Sequence, residues 1–320
     1  MISSIGLAKL CGVSQGTVDR ALHNRPGISA ATRQRILALA KKHGYRPHPV
    51  ARELLAGERA TVGAIIPALN GVFFSDLMNA IRLELMQEGW RLFMCAVTDE
   101  REFQETLADF AARRCRAAIV IPPRDHLPIP APVTTDMPVL CLLSPCRGTR
   151  VTLLAPDEVT TGRDAVAYLM QRGHRRILHI TYSRRAAAIR DRARGYALAM
   201  RKHSQIPRVL ASPSEPALLD ALRRYHPTAL FCHNDWLALS ALRILAQAGM
   251  RVPDDISILG VDNSSTFTAL CPDITTMQYP VEAIAQLCRQ ILKHETPRLS
   301  IGRLPIVERR TVQTLPGSTP

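Results

Sequence analysis

Phenylalanine, tryptophan and tyrosine make up only 5% of the 320 residues, while 47% are hydrophobic, so any core must be mostly aliphatic. No stretch approaches the ~20 consecutive apolar residues that span a bilayer, which argues against a membrane protein. The N-terminus, MISSIGLAKLCGVS, has no basic region followed by an apolar run. No secretion signal is therefore read, and a cytoplasmic protein is expected. The eight cysteines (11, 95, 115, 141, 146, 232, 271 and 288) form no CxxC pair and no zinc-ligand spacing. In a reducing compartment they read as small buried hydrophobes. Catalytic signatures are missing as well, with no Walker loop, GxGxxG, HExxH or GxSxG. His174, His179 and the Cys232-His233 pair read as ordinary core and surface residues. No enzyme, metal or cofactor is expected.

What is present is positive charge, placed unevenly. The net charge is +14, and residues 1–59 hold ten Lys or Arg against three Asp or Glu, or +7 in under a fifth of the chain. That is the footprint of a polyanion-binding module, although a solvated basic surface would look the same by charge alone.

Three short helices are legible within this basic segment. Ile5, Leu7, Ala8 and Cys11 give the first an apolar face, and Gly12 permits a tight turn. Ser14 is an N-cap for a second helix running from Gln15 to about His23, with Val18, Ala21 and Leu22 on its inner side. Ser29 caps a third, in which Ile36, Leu39 and Ala40 recur at helical spacing and Gly44 supplies a left-handed cap. Two helices joined by a Gly-containing turn, the second exposing polar residues at its start, is the DNA-reading helix-turn-helix arrangement. A plain three-helix bundle shares the periodicity but not the charge bias.

GVSQGTVDRALHNRPGISAATRQRILALAKKHGYRP closely resembles the head of the lactose-repressor (LacI/GalR) family of transcriptional regulators, through GVS, TV, LHN, the IS–TR pair and the closing GYRP. The resemblance implies a head over 1–48 that reads DNA with Ser14, Gln15, Gly16 and Arg20. Thr17 and Asn24 would position the phosphate backbone. Asp19 stands where the family often has serine, and a carboxylate there can disfavour phosphate or accept from a cytosine amine. Residues 49–59 are then a hinge whose Arg52 would join the DNA contacts and whose Leu54 would wedge into the minor groove.

From Thr61 the pattern alternates between apolar strand-like runs (VGAIIP, RLFMCAV, AAIVIPP, VLCLL, RILHIT, ALFC, ISILGV) and amphipathic helices. Alternation of this kind implies parallel sheets covered on both faces, and more than 250 residues of it suggest two lobes. The expected fold class is thus α/β: a helix-turn-helix head plus a two-lobed sensor with parallel sheets. NGVFFSD, LMQRGHRRILHIT, RARGYALAM, CHND and VPDDISILGVDN extend the family resemblance over essentially the whole chain. They imply a two-lobed, periplasmic-binding-protein-like sensing and dimerisation domain over 60–320. Lobe 1 would take about 60–157 and 280–300, and lobe 2 about 158–279 and 301–320. Near LLSPCRG the usual strand-ending acidic residue is missing.

Carried over residue by residue, the effector positions are Phe73, Phe74, Arg192, Asn234 and Asp262. For a carbohydrate effector Phe74 can stack on a sugar face, Arg192 supplies a fork of donors and Asp262 accepts from hydroxyls. Phe73 and Phe74 serve equally as core, and Asp262 or the Asn234-Asp235 pair as helix caps. The partners implied are double-stranded DNA with a palindromic operator, a small-molecule effector and a second copy of the chain. A secreted solute-binding protein is the alternative, which the basic head disfavours. A homodimer is expected, because tetrameric relatives add a C-terminal leucine-heptad helix that QTLPGSTP, with two prolines and a glycine, cannot form.

Overall fold

The computed structural model describes residues 2–45, 59–67, 71–183, 186–296 and 301–316. Its contacts fall into two compact units, Met1–Arg59 and Ala60–Pro320. The hinge positions Arg52 and Leu54 lie outside the described residues.

In the first unit three helices, α1 (Ser4–Cys11), α2 (Gln15–Leu22) and α3 (Ala30–Lys42), all begin at serine caps. The Oγ atoms of Ser3, Ser14 and Ser29 accept from the backbone N–H three residues on, at 3.1, 3.2 and 3.1 Å, each satisfying an otherwise orphan donor. Gly12 takes the left-handed conformation after α1 and Gly44 does the same beyond α3. Leu7, Ala8, Cys11, Val18, Ala21, Ile36 and Ala40 are buried together between the helices. Two arginines tie this small core shut. Arg35 donates to Cys11 O at 3.0 Å, and Arg33 to the carbonyls of Arg20 and Arg25 at 3.1 and 2.7 Å.

In the second unit, two sheets follow one another along the chain. The first has the order β2-β1-β3-β5-β7, from β1 (Thr61–Ile66), β2 (Arg91–Ala96), β3 (Ala118–Val120), β5 (Val139–Leu142) and β7 (Val151–Leu154). Every pairing in it is parallel. The second has the order β13-β12-β11-β10-β8-β9, from β8 (Ile177–Thr181), β9 (Arg208–Ala211), β10 (Ala229–Cys232), β11 (Ser257–Asp262), β12 (Thr275–Gln278) and β13 (Ile306–Val307). It is parallel but for the antiparallel β13. A two-stranded ribbon, β4 (Leu127–Pro128) and β6 (Cys146–Arg147), sits beside the first sheet. Central strands β5, β8 and β10 are buried at every residue, as strands covered on both faces must be.

The helices that matter for the cleft are α4 (Val72–Gln87), α7 (Glu158–Gln171), α8 (Ala187–Lys202), α10 (Asp235–Gln247), α11 (Ser265–Leu270) and α12 (Val281–Leu292); α5 (Glu100–Ala112), α6 (Ala131–Asp136) and α9 (Glu215–Tyr225) complete the set among the described residues. The chain passes from the first sheet to the second before α7. It returns through α12, which packs on α4 with Arg289 bonded to Glu84 at 2.8 Å and Glu88 at 3.2 Å, and crosses again to β13. One hydrophobic cluster takes in residues of both sheets, among them Ile66, Leu142, Leu259 and Met277.

Candidate functional sites

On the head, the polar start of α2 faces outward. Ser14, Gln15, Gly16, Arg20 and Asn24 are exposed and Thr17 is half-buried. The Ser14 and Thr17 hydroxyls bond each other at 2.9 Å, and Gln15 Nε2 donates to Ser4 Oγ at 3.0 Å, so both side chains are held by their neighbours. Asn24 sits at φ +53° in the loop that follows. Asp19 does not stand alone beside this face: Arg25 and His23 reach its carboxylate at 3.0 and 3.0 Å. The local charge that sequence reading set against phosphate is thereby compensated. An exposed, capped helix start with positive charge around it is suited to a groove of duplex DNA.

In the second unit, a different set of residues collects where the strands end at their carboxyl edges, the place where open α/β sheets bind ligands. Close helix packing creates the centre of this site. A Cβ at Gly195 would lie 2.0 Å from Val159 O, and one at Gly162 would lie 2.2 Å from Arg192 O. Only glycines let α7 and α8 approach backbone to backbone, and that approach sets Glu158 beside Arg192. Arg192 is 2% exposed. Its Nε and Nη2 both donate to Glu158 Oε2 at 2.7 Å, and Nη1 donates to the His233 carbonyl. Burial opposes the Arg192 cation, yet Glu158 and then Asp262 outweigh it and raise its proton affinity. The second Glu158 oxygen accepts from the Tyr279 hydroxyl at 3.2 Å. The Tyr279 ring meets Phe73 edge-on, 4.9 Å between centroids, and Phe73 meets Phe74 at 5.6 Å.

Asp262 closes β11 in an unusual backbone conformation, φ +117°, followed by Asn263 at +52°. Asp235 supports that turn. Its Oδ2 accepts the Asn263 N–H at 2.8 Å and its Oδ1 the Thr276 hydroxyl at 2.6 Å. Gly260 leaves room for this carboxylate, since a Cβ there would fall 2.2 Å from Asp235 Oδ1. From the other side Arg309 Nη2 donates to Asn263 Oδ1 at 2.6 Å. Burial lifts the Asp235 carboxyl to about 6. Burial, and next the Asp235 charge, push Asp262 well above the usual carboxylate range against the pull of Arg192.

A cavity of about 420 Å³ opens beside it, with Phe73, Asp76, Asp262 and Tyr279 on its wall together with Ala80, Leu83 and Glu84 of α4 and Glu282 and Ala285 of α12. Two carboxylates bond across from the first sheet's side to the second's. Asp76 accepts from Ser265 N and Oγ, both at 2.8 Å, and Asp125 accepts from Arg190 at 3.1 Å, while Ser144 on its own side also donates to Asp125. Asp125, on the loop after β3, thus sets a carboxylate beside Ser144 of the LLSPCRG segment.

The structure therefore places the expected effector positions unequally. Phe73 and Asp262 share the cavity wall, while Phe74 packs half-buried on the core. Arg192 is joined to the wall through Glu158 and Tyr279 instead of presenting a free fork. Asn234 is the N-cap of α10: its Oδ1 accepts from Leu237 N at 3.1 Å and from the Tyr182 hydroxyl at 3.0 Å. Glu158 and Tyr279 escaped sequence reading, and Asp235, read there only as half of a helix-capping pair, instead braces the turn at Asn263. A buried arginine on an apolar helix face demands a carboxylate partner, and that requirement was the available signal.

Two family models match the chain: bacterial regulatory proteins of the lacI family over residues 6–48, and a periplasmic binding protein-like domain over 166–312. The chain is 29% identical to the HTH-type transcriptional repressor CytR of Escherichia coli (strain K12), covering 91% of this chain and 88% of that protein. It is 28% identical to the ribose operon repressor of the same strain, covering 93% and 94%. Among solved structures, a Lac repressor dimer bound to operator and the anti-inducer ONPF superposes with a TM-score of 0.78 at 20% identity, over 98% of this chain and 99% of that one. No helix among the described residues is long and apolar enough to cross a membrane. With a lacI-type head followed by a periplasmic-binding-protein-like α/β unit, and with repressors as its relatives along nearly its whole length, the chain belongs to the LacI family of DNA-binding transcriptional regulators.

Proposed function

We propose that the protein is a cytoplasmic, non-catalytic repressor whose affinity for a palindromic operator is set by an uncharged polyhydroxyl effector, a sugar or a sugar-bearing molecule, bound in the cleft. The cavity wall carries this reading. Phe73 and Tyr279 offer apolar ring surface, and Asp262 beside them offers a carboxyl group that hydrogen-bonds hydroxyls, the pairing that polyol recognition needs. The relative named as ribose operon repressor supports the same class of ligand. On the DNA side, Gln15 and Arg20 read bases while Gly16 occupies a reading position without a side chain to fill it, Ser14 joins the DNA contacts, Thr17 and Asn24 position the backbone, and Arg52 and Leu54 act from the hinge.

The head is too small to specify a site alone, so the working form is a homodimer. Met86 on α4, Phe93 and Met94 on edge strand β2, and Trp236 and Leu270 beside the second sheet are exposed apolar side chains that a partner copy would cover. Selection of the full chain on a pool of random duplexes should enrich a palindrome. Light scattering should give about 71 kDa, twice 35.4 kDa. A thermal-shift panel of sugars and nucleosides then identifies the effector, because binding raises apparent stability. A compound that stabilises the protein while leaving operator affinity unchanged, with no other compound altering it, refutes effector control.

A further inference from the structure

Away from the cleft, at the opposite ends of β8 and β9, a second cavity of about 350 Å³ is lined by Arg175, Arg176, Arg208 and Arg224 together with Tyr225 and Ser204, and among the described residues none on its wall is acidic. Surface arginines usually carry little meaning, since they swing in water and pair with any nearby carboxylate. In this unit Arg113, Arg172, Arg251 and Arg289 do just that. Three of the four around this cavity behave otherwise. Arg175 Nη1 donates to Met170 O at 2.9 Å, and Arg176 Nε donates to His226 O at 2.6 Å. The Arg208 guanidinium lies over the Tyr225 ring, 4.7 Å from its centroid. Each contact immobilises a guanidinium without neutralising it and leaves further N–H groups of the same fork unused. Arg224 alone meets a carboxylate, Asp220, at 3.0 Å and on the exposed side of α9.

Three fixed like charges around one concavity repel each other, and an anion of matching size relieves that repulsion. Because the forks are already held by backbone carbonyls and a ring, little side-chain entropy is lost on binding. Planar guanidinium forks match phosphate oxygens in pairs. We propose that this cavity is a second ligand site, distinct from the effector cleft, that binds a phosphorylated small molecule through Arg175, Arg176 and Arg208. Its volume is that of a small-molecule pocket and not of an extended polyanion track. Its place beside edge strand β9 makes it a position from which a phosphorylated metabolite would stabilise the second sheet independently of the cleft ligand.

The test uses the full chain and inorganic pyrophosphate, followed by calorimetry at low ionic strength. The expected result is saturable binding that weakens at least tenfold in R176A/R208A and also weakens in R208A alone, whose side chain makes no backbone hydrogen bond that folding depends on. Binding should be unchanged in D262A, which separates this site from the cleft. Absence of saturable binding, or binding that is equal in wild type and R176A/R208A, overturns the proposal. So does a result in which the double variant leaves pyrophosphate affinity intact but weakens binding to a random duplex, because the patch would then serve DNA backbone phosphates.

Discussion

His179 provides a quantitative check on how the second unit is built. The ring is fully buried between Phe231, stacked at 4.7 Å, and Tyr196 at 5.2 Å. Its Nδ1 lies 2.9 Å from Phe231 O and so carries the hydrogen of a neutral imidazole. Burial depresses its pKa from 6.5 to about 4, with the Arg192 charge acting in the same direction. The unfolded chain, by contrast, titrates near the ordinary value. Between these two values the unfolded state binds the extra proton, so stability falls as pH is lowered through 6.5 and the loss is complete below about 4. At pH 5 the unfolded ring is mostly protonated and the folded one mostly neutral, a difference of roughly 1.5 pH units or about 2 kcal/mol. His179→Gln removes this titration and keeps an amide able to reach the same carbonyl. Urea unfolding followed by the fluorescence of Trp90 and Trp236, both in this unit, gives the free energy at pH 7.5 and 5.0 for each protein. Wild type should lose about 2 kcal/mol more than the variant over that interval. The variant's absolute stability does not matter, since the other groups cancel in the double difference. Parallel pH profiles would show that the imidazole is not held neutral as described.

Other expectations follow from the same structure. Gly195→Ala drives a methyl group into Val159 O, a backbone atom that cannot swing aside, so chemical denaturation should register a loss of about 3 kcal/mol or more. Asp262→Ala should leave operator binding intact and weaken the effector about tenfold or more in titration calorimetry. Arg192→Ala is a less clean probe, because it strands Glu158 as a buried charge and should cost about 3–5 kcal/mol of stability as well. Operator affinity should fall steeply between low and moderate salt in a filter-binding assay, by roughly 0.9 log units per log unit of salt for each phosphate contacted. Leu54→Ala should weaken operator binding far more than binding to random DNA, and equal losses would remove the hinge leucine from the specific complex.

The head was the most legible part of the sequence. Serine caps, a left-handed glycine after α1 and aliphatic residues at helical spacing are local signals, and Ser14, Ser29, Gly12 and Gly44 all take the conformations their chemistry favours. The long central strands were equally clear, because burial on both faces makes them continuous apolar runs. Edge strands β7 and β9 and the threonine-rich β12 were not, since exposure or threonine content mixes their pattern, as in VTLL, RVLA and TTMQ. The cleft was half legible. Phe73 and Asp262 lie on the cavity wall as residue types suited to a ligand, but the role of Arg192 depends on a residue 34 positions away in sequence. Glu158 opens α7, where an acidic residue reads as a partner for the helix dipole. Nothing in its neighbourhood announces that a glycine-mediated contact delivers Arg192 to it.

The path of the chain between the sheets also limits how this protein can be rearranged. The chain crosses between the two sheets at three separate places, before α7, between β12 and α12, and between α12 and β13, and one apolar cluster takes in residues of both. No single cut isolates a sheet with all its covering helices. A chimera that exchanges one lobe for a relative's needs three junctions placed together, near residues 155–157, 279–280 and 293–305. With only the first junction exchanged, α12 would be left facing a foreign α4, and the Arg289 pairing with Glu84 and Glu88 would have to be met by whatever side chains the donor brings.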